Sequence, residues 1–136
     1  EMSARLVGSE MCIRDRLDIA DDGDLEASRQ IIRQMYANRE AFLLLLTKSQ
    51  GSRFENCLDE VVDISEQQYR RLCDMVTNAT GRPRVDDYMT HWMAHIMVDT
   101  FVHLFLHETE ERVALKHVDA LTMYLVRGWM GIMTES

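Results

Sequence analysis

The stretch DDYMTHWMAHIMVDTFVHLFLH, Asp86 to His107, decides the fold. Its opening acids suit a helix N-terminus, where the helix dipole favours negative charge. Met89, Trp92, Met93, Ile96, Met97, Phe101, Leu104, Phe105 and Leu106 then circle most of the helix. A helix apolar nearly all round is buried on two sides. In so small a chain its own neighbours cover only one of them. The pattern therefore predicts that the other side meets a second copy, most simply in a two-fold dimer.

Working outward, apolar residues recur at three- and four-residue spacing, and only Pro83 and a few glycines interrupt them, which predicts an all-α chain of about five helices. Upstream, the acidic entry Asp21 to Asp24 opens a first helix, on which Ile31, Ile32, Met35 and Tyr36 form an apolar stripe. Asn38 breaks it before a second apolar stretch, Glu40 to Lys48. Gly51 is expected to end that segment, and Ser52-Arg-Phe-Glu55 reads as a capping box for a third helix. Phe54, Leu58, Val61, Tyr69, Leu72 and Val76 line its apolar side, and Thr80-Gly-Arg-Pro83 stops it. Downstream of His107, Thr109-Glu-Glu111 starts a fifth helix running to about Met133.

The sixteen residues at the start, EMSARLVGSEMCIRDR, are read as foreign to the domain. Leu6 to Asp15 can be written in codons as CTC GTG GGC TCG GAG ATG TGT ATA AGA GAC, which resembles the adaptor of a transposon-based sequencing library. Such scars are set aside before fold reasoning. Residues 17–136 then form one domain, long enough for a real core. The leader holds three acids and three bases, so the net charge of −8 belongs to the remainder. That acidity, with no Lys/Arg cluster, argues against nucleic-acid binding by this domain alone. Outside the leader only Cys57 and Cys73 remain, without metal-site spacing, as expected of reduced thiols in a cytoplasmic protein. No apolar run approaches the ~20 residues that span a bilayer.

Several segments follow one another in a familiar order: Tyr36-Ala-Asn-Arg-Glu-Ala-Phe42, then Ser49-Gln-Gly-Ser-Arg-Phe-Glu55, His91-Trp-Met-Ala94, His107-Glu108 and Tyr124-Leu-Val-Arg-Gly-Trp-Met-Gly-Ile-Met133. Together they resemble the C-terminal domain of TetR/AcrR-family transcriptional regulators over nearly all of Leu17 to Met133. The resemblance implies a helical bundle around an effector pocket, with the last two helices pairing with a partner's two in a four-helix bundle. Trp92, His95, Asp99, Val102, Leu106, Val118, Leu121, Leu125 and Trp129 are the expected interface residues. It also implies a separate N-terminal helix-turn-helix domain, missing here, through which alone operator DNA would be read.

Met93, Met97 and Phe101 share a helix face, and with Tyr36, Phe42, Phe54, Leu58 and His91 they are the candidate lining of an apolar pocket. Few charges point there, so the expected effector is small and hydrophobic or aromatic, and no cofactor is expected. His91, His95, Asp99, His103 and His107 recur at i,i+4 along the same helix. Of these, His95, Asp99 and His103 are alternative ligands for zinc or another divalent ion, in a metal-binding helical dimer. Each four-residue step overshoots a full turn by about 40°, so hydrogen bonding at a dimer seam or pocket edge is the expected role. His91 and His107 fall where the family often carries histidine, whereas the other three depart from it. No H-E-x-x-H, di-iron, nucleophile-elbow or phosphate-loop motif occurs, and no catalysis is expected.

Overall fold

A computed structural model describes residues 23–53 and 55–135. The adaptor-like leader and Phe54 lie outside the described residues. The described residues form an all-helical fold: α1 (23–37), α2 (Arg39–Lys48), α3 (Cys57–Thr80), α4 (Asp87–His107) and α5 (Glu111–Glu135). Among the described residues no helix is long and apolar enough to cross a membrane.

Helix boundaries follow local chemistry. Asn38 turns its carboxamide back to donate to the Gln34 carbonyl at 3.0 Å, closing α1 one residue before α2 begins. Gly81 ends α3 in the left-handed conformation, φ 71°, and its N–H donates to the Thr77 carbonyl at 2.8 Å. Asp86 caps α4, its carboxylate accepting from the Met89 N–H at 2.9 Å.

The expected capping box at Ser52 is a correction. The Ser52 hydroxyl donates to the Ser49 carbonyl at 2.6 Å, and the Glu55 carboxylate accepts from the Gly51 N–H at 3.2 Å. Both side chains close the turn after α2 instead, and α3 starts only at Cys57, behind an Asn56 that makes no side-chain cap bond. Gly51 is left-handed within that turn, φ 80°, while α2 already ends at Lys48.

The core has three parts along α4. Ile32 and Met35 of α1 pack with Leu104 and Phe105 of α4 and with Ala114 and Val118 of α5. Near the middle of α4, Ala94 and Val98 meet Val62 of α3. Farther toward its start, Met93 packs with Cys73 and Val76 of α3 and with Trp129 and Met133 of α5. Late α4 thus meets early α5 and early α4 meets late α5, so the two run antiparallel.

Polar ties hold α1 to this frame. Arg29 forks onto the Asp119 carboxylate of α5, Nε donating to Oδ1 at 2.8 Å and Nη2 to Oδ2. The Tyr36 hydroxyl donates to the Glu108 carbonyl at the α4–α5 corner, 2.6 Å away.

The apolar stripe of α3 turns out narrower than expected. Val62, Ser65, Cys73 and Val76 are buried, whereas Leu58, Val61 and Ile64 in its first half stay exposed. Leu58 and Val61 border a void, whereas Val62 beside them packs on α4.

Candidate functional site

The void is a cleft of about 500 Å³ lined by four helices. Gln30, Ile31, Gln34 and Met35 come from α1, and Phe42, Leu45 and Leu46 from α2. Cys57, Leu58 and Val61 of α3 and Met97, Val98, Phe101 and Val102 of α4 complete it. A neighbouring cleft of about 650 Å³ lies along α2 and the turn after it, and shares Phe42, Leu45 and Cys57 with the first. Among the described residues, Lys48, in this second cleft, is the one ionisable cation or carboxylate on either wall.

Such walls arise because α2 carries four successive leucines on ten residues, and a short helix cannot turn them all to one neighbour. Leu43 and Leu46 reach the Ile32–Phe105 cluster, while Leu45 faces the cleft and Leu44 is exposed along the second one. No residue of α2 is fully buried. Phe42 anchors it with its ring edge-on to Phe105, centroids 6.2 Å apart.

Of the residues expected to form a pocket, Phe42, Leu58, Met97 and Phe101 come together on this cleft. Three others lie elsewhere. Tyr36 stands behind the wall, edge-to-face with Phe105 at 5.3 Å, with the Arg39 guanidinium over its ring at 5.4 Å. Burial raises its phenol pKa. Met93 is buried in the Trp129 cluster. His91 is exposed, its Nδ1 2.9 Å from the Glu66 carboxylate. That histidine, followed by Arg70, holds the Glu66 carboxyl below its ordinary pKa.

The α1 residues that line the cleft were not the expected Tyr36. Gln30, Ile31 and Gln34 form a second stripe one residue off the buried Ile32–Met35 stripe, and its period was the available signal. The Gln30 amide donates to the Glu26 carboxylate at 3.0 Å.

The expected interface residues divide sharply. Val118 and Trp129 are 1% and 3% exposed within one chain, so neither has surface left for a partner. Leu121 and Leu125 pack against the same internal clusters, and Val102 lines the cleft. For Val118 and Trp129 this is a correction with a plain cause: α5 turns both side chains inward, Val118 onto α1 and α4 and Trp129 onto α3 and α4. On the outer face of α4, Trp92, Asp99 and Leu106 are exposed and His95 is half-buried.

The alternative metal set is not assembled. Among the described residues no three His, Cys, Asp or Glu side chains stand close enough to hold a metal ion. The imidazole of His95 lies 4.5 Å from that of His91, and His103 lies 4.2 Å from His107. Each ring therefore associates with a histidine outside the His95–Asp99–His103 set.

Compared with protein-family models, with curated proteins and with solved structures, the chain matches none.

Proposed function

We propose that this chain is the effector-binding and dimerisation part of a TetR/AcrR-type transcriptional regulator, working in the cytoplasm without catalysis of its own. The observation that carries the reading is the apolar cleft between α1, α2, α3 and α4. Its volume suits a small molecule, and its uncharged wall offers no counter-charge for an ion taken out of water. The effector is accordingly a neutral hydrophobic or aromatic compound, with Gln30 and Gln34 as the polar groups that orient it.

Helix α1 is the natural transmitter. It lines the cleft through Ile31 and Gln34 and is tied to α5 through Arg29 and Asp119. A ligand that favours one α1 position would shift the spacing of DNA-reading domains joined upstream of it. With a net charge of −8 on this chain, operator contacts fall to such a domain and not to these helices.

The test is a fluorescence titration with N-phenyl-1-naphthylamine, an uncharged aromatic probe. One saturable site is expected, with affinity lowered at least about tenfold by Leu45→Trp, which fills the junction of the two clefts. Non-saturable binding, or affinity indifferent to Leu45→Trp, overturns the reading.

A further inference from the structure

The cleft along α2 differs from the first in having one charged end. Ala41, Leu44, Leu45 and Lys48 stand on its wall at positions i, i+3, i+4 and i+7, so they form a single stripe along the helix. At 1.5 Å of rise per residue the stripe runs about 10 Å. Only its last member is polar. Leu44 is 57% exposed, which leaves apolar surface of this wall in water. Past Lys48 the wall continues with Ser49 and Ser52, in the turn that follows α2.

The groups at that end are short of partners. A cation in the last turn of α2 suits the helix dipole, but a dipole supplies no counter-ion. Among the described residues the Lys48 ammonium makes no ion pair, whereas Arg29, Arg70 and Arg84 are each held by a carboxylate. The Ser49 hydroxyl likewise has no hydrogen-bond partner among the described residues, while the Ser52 hydroxyl is engaged with the Ser49 carbonyl. The nearby Glu55 carboxylate accepts from the Gly51 N–H and does not stand on the cleft wall.

We infer that the cleft along α2 is a second ligand site, for a single-chain amphiphile with a carboxylate head, a fatty acid in its monomeric form. Its chain lies along Leu44 and Leu45 toward Phe42, and its carboxylate meets the Lys48 ammonium and accepts from the Ser49 hydroxyl. Charge complementarity selects the head. One ammonium balances one negative charge, and Lys48 is exposed, so the ion pair forms without taking a charge out of water. A phosphate monoester would bring close to two charges to a chain of net charge −8, on a wall with no arginine fork to hold them. The wall selects the tail: a stripe one helix face wide and several residues long matches an extended alkyl chain. This site does not rest on the effector reading, which concerns the first cleft.

Amide-shift NMR titrations of the whole 136-residue chain with octanoate and with 1-octanol test it. Octanoate is expected to bind saturably and at least about threefold tighter than the alcohol. Lys48→Gln should bring octanoate down to the level of octanol and leave octanol unchanged, and Lys48→Arg should restore the difference. From hexanoate to octanoate, each added methylene should tighten binding by about twofold to fourfold. Leu44→Ser, on the wall of this cleft alone, should weaken octanoate at least about threefold and leave the naphthylamine probe unaffected. Leu44 and Lys48 are both exposed, and circular dichroism checks that the variants fold.

Octanoate affinity indifferent to Lys48→Gln, or matched by octanol in the unsubstituted chain, overturns the assignment of the head. Octanoate that displaces the naphthylamine and ignores Leu44→Ser occupies the first cleft, which removes the second site and leaves the effector reading intact. Absence of saturable octanoate binding removes the second site as well. Octanoate binding that depends on Lys48 and Leu44 in a chain without a saturable naphthylamine site upholds this inference and defeats the effector reading alone.

Discussion

The span of α4 from Met93 to Phe101 uses similar side chains to opposite effect at its two ends. Around Met93, the residues Cys73, Val76, Trp129 and Met133 close completely, and Tyr69 packs edge-to-face on Trp129 at 5.5 Å. Around Met97 and Phe101, equally apolar residues from α1, α2 and the first half of α3 surround open volume. The difference lies in what faces α4. At the closed end the long α3 and α5 both present bulky residues to it. At the open end α2 is ten residues long, contributes no buried side chain, and leaves Leu58 and Val61 uncovered. Apolarity alone makes neither a core nor a pocket; the reach of the neighbouring helices decides which.

The largest expected effect breaks the closed end. Trp129→Ala should cost about 3–5 kcal/mol in urea unfolding, because a large side chain 3% exposed leaves a cavity that long helices cannot close. A loss below about 1 kcal/mol would mean that this end is as loosely filled as the other. Trp129→Phe should cost far less than Trp129→Ala. The indole N–H has no hydrogen-bond partner among the described residues, so its removal leaves nothing unpaired.

The open end should respond in the reverse sense. Leu45→Ala is expected to cost under about 1.5 kcal/mol, since its side chain already borders free volume, while weakening the aromatic probe severalfold. A stability loss as large as that of Trp129→Ala would show the cleft to be closed in solution.

A smaller effect separates the ends by pH. Burial pushes the Tyr69 phenol up to about 12, and its hydroxyl lies 3.1 Å from the Met97 sulfur. The unfolded phenol ionises near 10. Ionisation is thus disfavoured in the folded chain, and the stability linked to Tyr69 is full below pH 10 and lost as pH rises toward 12. Tyr69→Phe should flatten the alkaline fall in the urea midpoint, and an unchanged fall would assign it to other groups.

The smallest effect concerns the tie between α1 and α5. Arg29 holds the Asp119 carboxyl below its ordinary pKa. Its contribution is present above the usual carboxylate range and is lost as pH falls through the lowered value. Asp119→Asn should remove part of the acid sensitivity of unfolding while barely moving stability at neutral pH, as befits a partly exposed pair. It should loosen α1 enough to alter probe affinity at the open end, measured by the same titration.

Much of the helical frame was legible from residues that act within one turn. Asn38, Gly81 and Asp86 sit at helix ends because each bonds a backbone group at most four residues away, and such bonds need no distant partner. The Ser52–Glu55 pattern misled for the same reason: the same short-range groups also close a turn, and the turn won. Within the cleft, Phe42, Leu58, Met97 and Phe101 were readable as one apolar set, whereas Gln30 and Gln34 were not, because polar residues on an amphipathic helix look solvated.

What the sequence by itself determined is the periodic angle of each side chain around its own helix, and with it an all-helical chain whose fourth helix is apolar on more than one side. Only the tertiary structure decided which side meets which neighbour. Val118 and Trp129 went into the chain's own core, Val102 to the cleft, and Trp92 and Leu106 outward. Period fixes direction about an axis, but the lengths of α2, α3 and α5 and their places along α4 set what stands in that direction. A packed core, an open cleft and an unpartnered stripe therefore share one helix whose residues, taken singly, are much alike.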